Sequence, residues 1–360
     1  RHRCGYCDFT LVARRDDLIP QYLVALELEL RRLGTPRPVE TLFLGGGTPT
    51  HLPTEAMEKL LALVTTWLPL EPNGEFSAEA NPSGLDAARI ELLARAGVNR
   101  VSLGVQSFDP RQLAVLERDH TPEEIADVVA GLRPVIPNIS LDLIFAVPGQ
   151  TVADWCATLE AALALQPQHL STYGLTWERG TAYWSRRLGG TLTPVDEESE
   201  RAMYALALDR LPQAGFVHYE LSNFARPGSE CRHNQVYWRG ANYYGFGPGA
   251  ASHFDGVRWS NHRSVTTWLQ RTLAGEPAIQ EREELGPEAR AREVIMLELR
   301  QRSGIDLARF ATVHGCSPRD LEPEHYERQL ASGLLEVVNH HLRLTREGCF
   351  LADRVMSGFL

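Results

Sequence analysis

The amino-acid sequence predicts an α/β protein: a partial (β/α)6 barrel followed by a smaller α+β unit shaped like a winged helix. Three observations carry that expectation. From Leu18 to about Thr176 helical patterns alternate with short β-rich runs, the pattern of a parallel sheet with crossover helices. Explicit capping and stop signals bound several of those helices. From Glu288 onward the pattern changes to helix, helix, hairpin and a closing helix.

The expected strands are Thr41 to Leu44, Glu75 to Ala80, Arg100 to Gln106, Ile139 to Val147 and His169 to Thr176. A sixth, expected upstream of Arg1, would complete the partial barrel. Thr121-Pro122-Glu123-Glu124 predicts a helix start, because Thr121 can hold the amide of Glu124 while Glu124 reaches back, and the helix runs to Leu132. Thr151 caps the helix carrying Trp155, Leu159 and Leu163, and Gly34, Gly97 and Gly215 stand where left-handed helix stops belong. Residues 1–215 are therefore read as the core. Residues 216–285 form an aromatic, glycine-rich connecting region, whose stretch from Tyr219 to Phe254 reads as irregular packed structure. Residues 286–360 form the C-terminal unit, with a hairpin over Leu334 to Leu344 turning at Asn339-His340 and a last helix over Gly348 to Phe359.

Composition narrows the function classes. A chain of 360 residues, 43% hydrophobic, can bury one large core and a satellite. Apolar runs such as Leu60 to Val64 are too short to span a bilayer. A formal net charge of -10 disfavours nucleic-acid binding, and residues 286–360 carry 10 Arg against 11 acidic residues, which leaves the winged-helix regulator a distant reading. Six cysteines are too sparse for a disulfide framework, so a reducing, cytoplasmic setting is expected. Arg1 to Phe9 lacks the charged-then-apolar pattern of a signal peptide.

Three kinds of residue point to chemistry. Cys4-Gly5-Tyr6-Cys7 suits zinc, a redox dithiol or an iron-sulfur cluster; no second C-x-x-C completes a zinc site, and no strand-to-helix setting supports a thioredoxin motif. Gly45-Gly46-Gly47-Thr48 follows a strand, and successive glycines let a ligand approach the backbone. Glu79, Gln106, Asp142 and Thr176 recur near the carboxyl ends of strands, the face where α/β barrels bind ligands. Each alone reads more readily as a surface turn or a satisfied polar group than as a site residue, but their joint placement favours a site.

With the cysteine and glycine motifs in place, the sequence resembles the radical SAM superfamily. The motifs C-x-x-C-D-F, GGGTP, E-x-NP, GVQSF, L-x-R-x-H, DLI-x-x-x-PGQ and L-T-x-x-G-x-x-L-A-D are similar to the oxygen-independent coproporphyrinogen oxidase family across nearly the whole chain. The resemblance implies a radical SAM barrel with a 4Fe-4S cluster on Cys4 and Cys7. The third ligand of C-x-x-x-C-x-x-C falls one residue before Arg1. It implies that Tyr6 neighbours S-adenosylmethionine, that Gly46, Gly47, Thr48 and Glu79 bind its methionyl part, and that Gln106, Arg118 and Asp142 lie nearer the sulfonium and ribose. The cluster would reduce the sulfonium to methionine and a 5′-deoxyadenosyl radical. No catalytic residue is assigned.

Two branches of that family compete. Oxidases carry a further cysteine two residues after the last cluster cysteine, where this chain has Phe9. The heme-chaperone branch resembles it in His233-Asn234-Gln235-Val236-Tyr237-Trp238 and the Gly-Phe-Gly-Pro-Gly that follows. That branch implies heme as ligand, heme-accepting respiratory proteins as partners, no integral membrane segment, and leaves peripheral membrane association and a homodimer open. His233 is the candidate axial ligand, weighed evenly against a structural histidine in an aromatic cluster, with Cys231 second. The alternative is decarboxylation of coproporphyrinogen III to protoporphyrinogen IX. Ala146 stands where relatives commonly have glycine, and is expected only to tighten its loop.

Overall fold

In a computed structural model of the chain, the described residues are 4–10, 12 and 14–360. The five expected strands and two from the stretch that reads as irregular structure build a seven-stranded sheet. Its members are β1 (Val39–Leu44), β2 (Leu70–Ala80), β3 (Arg100–Gln106), β4 (Asn138–Phe145), β5 (His169–Gly174), β6 (Val217–Glu220) and β7 (Asn223–Ala225), ordered β1-β2-β3-β4-β5-β7-β6. The first five pair in parallel, β7 runs antiparallel to β5, and β6 antiparallel to β7.

One face of each of the five parallel strands is apolar and meets the helices. Phe76, Ala78, Val101, Leu103, Ile139, Leu141 and Leu170 join Leu61, Ile90, Val129, Trp155 and Leu159 in a single buried core. Strand period 2 sends the alternate residues inward: Glu75, Ser77 and Glu79 on β2, Arg100 and Ser102 on β3, Ser140 and Asp142 on β4, His169 and Ser171 on β5. The concave face is thus polar, and it holds the site. The capping boxes at Thr121 and Thr151 are both formed, and Gly34, Gly97 and Gly215 all have positive φ.

Several boundaries differ from expectation for identifiable reasons. β4 stops at Phe145 because Ala146 adopts φ +59, a left-handed turn that ends strand pairing. β2 begins at Leu70, and a register shift with Asn73 at φ +61 absorbs the Pro-Asn-Gly that reads as a turn. The strand expected upstream of Arg1 lies outside the described residues.

Residues 216–254 are more regular than their composition suggests. They contribute β6 and β7 to the main sheet, the helix Arg232–Trp238, and β8 (Ala251–Phe254), which pairs with β9 (Val257–Asn261) across Asp255-Gly256. A third strand, β10 (Ile279–Glu284), extends that small sheet. Side chains of 216–285 join both cores: Phe216, Phe224, Trp268 and Leu269 lie in the main one and Leu221 in the C-terminal one.

The C-terminal core gathers Ile295, Phe310, Leu335, Leu342, Val355 and Phe359 from helices around the sheet of β11 (Ile305–Asp306), β12 (Leu335–Val338) and β13 (His341–Leu344). Asn339 and His340, at φ +50 and +63, form the two-residue hairpin turn. The single last helix expected over Gly348 to Phe359 is two short ones, Arg346–Phe350 and Ala352–Ser357, broken at Leu351. Backbone bonds from Leu221 to Arg300 (3.1 Å) and Arg302 to Tyr219 (2.9 Å) fasten this unit to the barrel. Among the described residues no helix is long and apolar enough to cross a membrane.

Candidate functional site

The site begins at the cysteine turn, closed by the Cys7 amide donating to the Cys4 carbonyl at 3.0 Å. Arg118 supports it from the segment after the short helix Pro110–Val115, with one guanidinium nitrogen 3.8 Å from Cys4 Sγ. The other donates to Asn81 Oδ1 (2.5 Å) and the Gly104 carbonyl (2.8 Å). Asn81 in turn donates to Thr48 Oγ1 at 3.0 Å. A continuous polar chain therefore joins Thr48, Asn81, Arg118 and Cys4, three of which sequence reasoning places in one site. Tyr6 packs edge-on against Tyr183, with ring centroids 5.9 Å apart. Burial raises its hydroxyl pKa, and Arg118 opposes that rise.

The glycine turn meets Glu79 at the tip of β2. Gly46 has φ +82, and a Cβ on Gly46 or Gly47 would touch nothing within 4 Å, so open space lies over this backbone. Glu79 is half-buried with its Oε2 enclosed, and burial, then repulsion from Asp142, raises its pKa to about 7 despite the Gly47 and Gly46 amides. Among the described residues its Oε2 has no hydrogen-bond partner. A buried carboxylate oxygen left unpaired is costly, and a ligand cation would satisfy it.

Asp142 lies deeper, its two oxygens each 2.9 Å from Ser102 Oγ. Burial raises its pKa, while hydrogen bonds from Ser171 and Ser102 oppose the rise. Gln106 closes β3 at φ +65, a conformation few non-glycine residues adopt, after a register shift that begins at Leu103. The left-handed turn falls at the strand tip beside Arg118. Thr176 lies beyond the end of β5 and makes no hydrogen bond with these residues among those described.

His233 stands elsewhere, near the start of β1. Its Nδ1 lies 2.8 Å from Thr41 Oγ1 and its Nε2 2.8 Å from Tyr237 Oη, and its ring stacks on Phe43 at 5.2 Å. Burial lowers its pKa to about 4, against the pull of Glu75, so the ring is neutral at ordinary pH. Glu75 receives the amides of Arg232 and His233 at 3.0 Å each and the Cys231 thiol at 3.5 Å. It caps the helix Arg232–Trp238 from another strand. Burial pushes the Cys231 thiol up to about 12.

Sequence reasoning overlooked Asn81, Glu75 and Glu117. Asn81 belongs to the Glu-Ala-Asn-Pro motif already noted, so its signal was present; Glu75 and Glu117 act across long separations that no local pattern reveals. Among the described residues no group of three or more His, Cys, Asp or Glu side chains could hold a metal ion. Cys4 and Cys7 supply two thiols of the kind an iron-sulfur cluster uses. The unpaired Glu79 oxygen beside the open glycine backbone fits the ammonium of S-adenosylmethionine.

Comparison with known proteins shows what the chain as a whole is similar to. The radical SAM superfamily profile matches residues 1–162, and the HemN C-terminal domain profile matches residues 285–351. The heme chaperone HemW of Mycobacterium tuberculosis is 37% identical over 99% of this chain and 92% of its own length. That of Bacillus subtilis is 34% identical over 100% and 96%. The structure of coproporphyrinogen III oxidase (HemN) from Escherichia coli, a radical SAM enzyme, superposes with a TM-score of 0.87 at 22% identity, covering 99% of this chain and 87% of that one. At that identity the likeness carries the fold.

Proposed function

Because the chain belongs to the HemW heme-chaperone family of the radical SAM superfamily, we propose that it binds a 4Fe-4S cluster and S-adenosylmethionine at the strand tips and delivers heme to respiratory-chain proteins. The observation that carries the ligand site is the unpaired, buried Glu79 oxygen facing the open Gly46-Gly47 backbone. Cys4 and Cys7 hold the cluster, Glu79 and the glycine backbone hold the ammonium, and Thr48, Asn81 and Arg118 order the surrounding turns. Gln106, Asp142 and Tyr6 line the route toward the sulfonium and ribose. When bound, cluster and ligand supply one-electron chemistry; the chain's own part is to orient and shield them. The setting is cytoplasmic.

Phe9 favours the chaperone over the oxidase. It stands 53% exposed where an oxidase of the family carries its additional cysteine. Heme coordination by His233 requires the ring to give up its Tyr237 or Thr41 partner, and the neutral imidazole then offers a lone pair. Heme titration tests this: His233→Ala should lose binding, and Tyr237→Phe, which frees Nε2, should strengthen it. Unchanged titration of both variants removes His233 from the heme site. Anaerobic incubation of the full-length protein with coproporphyrinogen III separates the classes, since the chaperone reading expects no protoporphyrinogen and its formation would overturn that reading.

A further inference from the structure

The cysteine turn is held from a direction that none of the motifs accounts for. Gly5 sits between its two cysteines, and the Gly5 amide donates to Glu117 Oε2 at 2.8 Å. The Gly5 carbonyl accepts from the Tyr183 amide at 2.9 Å. Glu117 is itself fixed by Arg186, whose Nη1 donates to the other carboxylate oxygen at 2.8 Å. The Cys4 thiol points at the Glu117 carbonyl, 3.7 Å away. Glu117 adopts φ +54, a strained choice for a non-glycine residue, and that turn leads directly into Arg118. Above the turn, the Tyr183 ring closes so tightly on Gly5 that a Cβ there would fall 2.6 Å from it.

From this geometry we propose that Glu117 is a positioning residue for the iron-sulfur cluster, clamping the Cys4–Cys7 turn through the Gly5 amide with Arg186 and Tyr183 behind it. This inference rests on the reading that Cys4 and Cys7 ligate a cluster. Two consequences follow. The clamp fixes the two thiols relative to Arg118 before iron arrives, so less ordering remains to be done on binding. It also engages an amide that would otherwise be free to turn toward a cluster sulfide, and it places a carboxylate close to the cluster. Hydrogen bonds to cluster sulfurs and local charge both set the reduction potential.

The test uses the full-length protein, reconstituted without air, as wild type, Glu117→Ala and Glu117→Gln. Glu117→Ala should lose iron to a chelator ~10-fold faster, the order seen when an outer support of a metal site is removed. Glu117→Gln retains an oxygen for the Gly5 amide and should restore most of that retention, yet shift the cluster potential to more positive values because the carboxylate charge is gone. A residue that merely supports the fold would not separate retention from potential in this way. Equal iron loss and equal potential in all three proteins would overturn the proposal. In the cluster-free protein, deuterium uptake over residues 4–7 should rise in Glu117→Ala; unchanged uptake would also overturn it. Should wild type take up no iron while that uptake still rises, the clamp stands and the cluster reading falls.

Discussion

Glu75 and Glu79 stand on the same strand and the same concave face, two repeats of the pleat apart, but differ in how their oxygens are satisfied. Glu75, toward the start of β2, receives two backbone amides and a thiol, and both its oxygens are used. Glu79, at the tip, keeps one oxygen unpaired and has its pKa raised to about 7. The first carboxylate is part of the framework that fixes the helix bearing His233. The second is held at a cost in the ligand-free chain, which is how a binding group differs from a structural one.

That contrast can be broken most strongly at the framework end. Glu75→Ala leaves two partly buried amides and the buried Cys231 thiol without their acceptor, and chemical denaturation should show a loss of about 3–4 kcal/mol. Glu79→Gln should do the reverse. A carboxyl whose folded pKa is raised from 4.5 to about 7 contributes stability that is full below 4.5 and is lost as pH rises through 7. At pH 8 the ligand-free Gln variant should therefore be more stable than wild type, on the order of 2 kcal/mol.

The histidines sharpen the comparison from the acid side. His233 and His218 are lowered from 6.5 to about 4 by burial, so their neutral forms stabilise the fold above pH 6.5 and that stability fades as pH falls toward 4. Denaturation midpoints should drop over that window, and His233→Asn should flatten the drop by on the order of 1–2 kcal/mol, allowing for partial solvent access. The smallest effect concerns Ala146. Its left-handed φ of +59 is the conformation glycine adopts without strain, so Ala146→Gly should raise thermal stability by roughly 0.5–1 kcal/mol.

Much of this was legible in the sequence where one local rule acted alone. The five parallel strands, both capping boxes and the Asn339-His340 turn follow from period, cap chemistry and turn residues. The stretch after Phe216 was harder because its aromatic and glycine content masks short alternations; even so, Asp255-Gly256, a strong hairpin signal between β8 and β9, was there to be read. At the candidate site, Glu79 and Asp142 were marked by strand ends, and Thr48 and Arg118 by motifs. The supporting groups were not, since Glu117 reaches Gly5 across 112 residues and Glu75 meets His233 across 158. Contacts of that kind belong to the fold, and no window along the chain contains both partners.

The most direct test of the central claim is a titration of S-adenosylmethionine into the reduced, reconstituted full-length protein, followed by electron paramagnetic resonance of the cluster. Wild type and Glu75→Gln should both respond, while Glu79→Gln should need about 100-fold more ligand, the loss expected from removing one charge-assisted pairing. A Glu79→Gln protein that responds at the wild-type concentration would contradict the account.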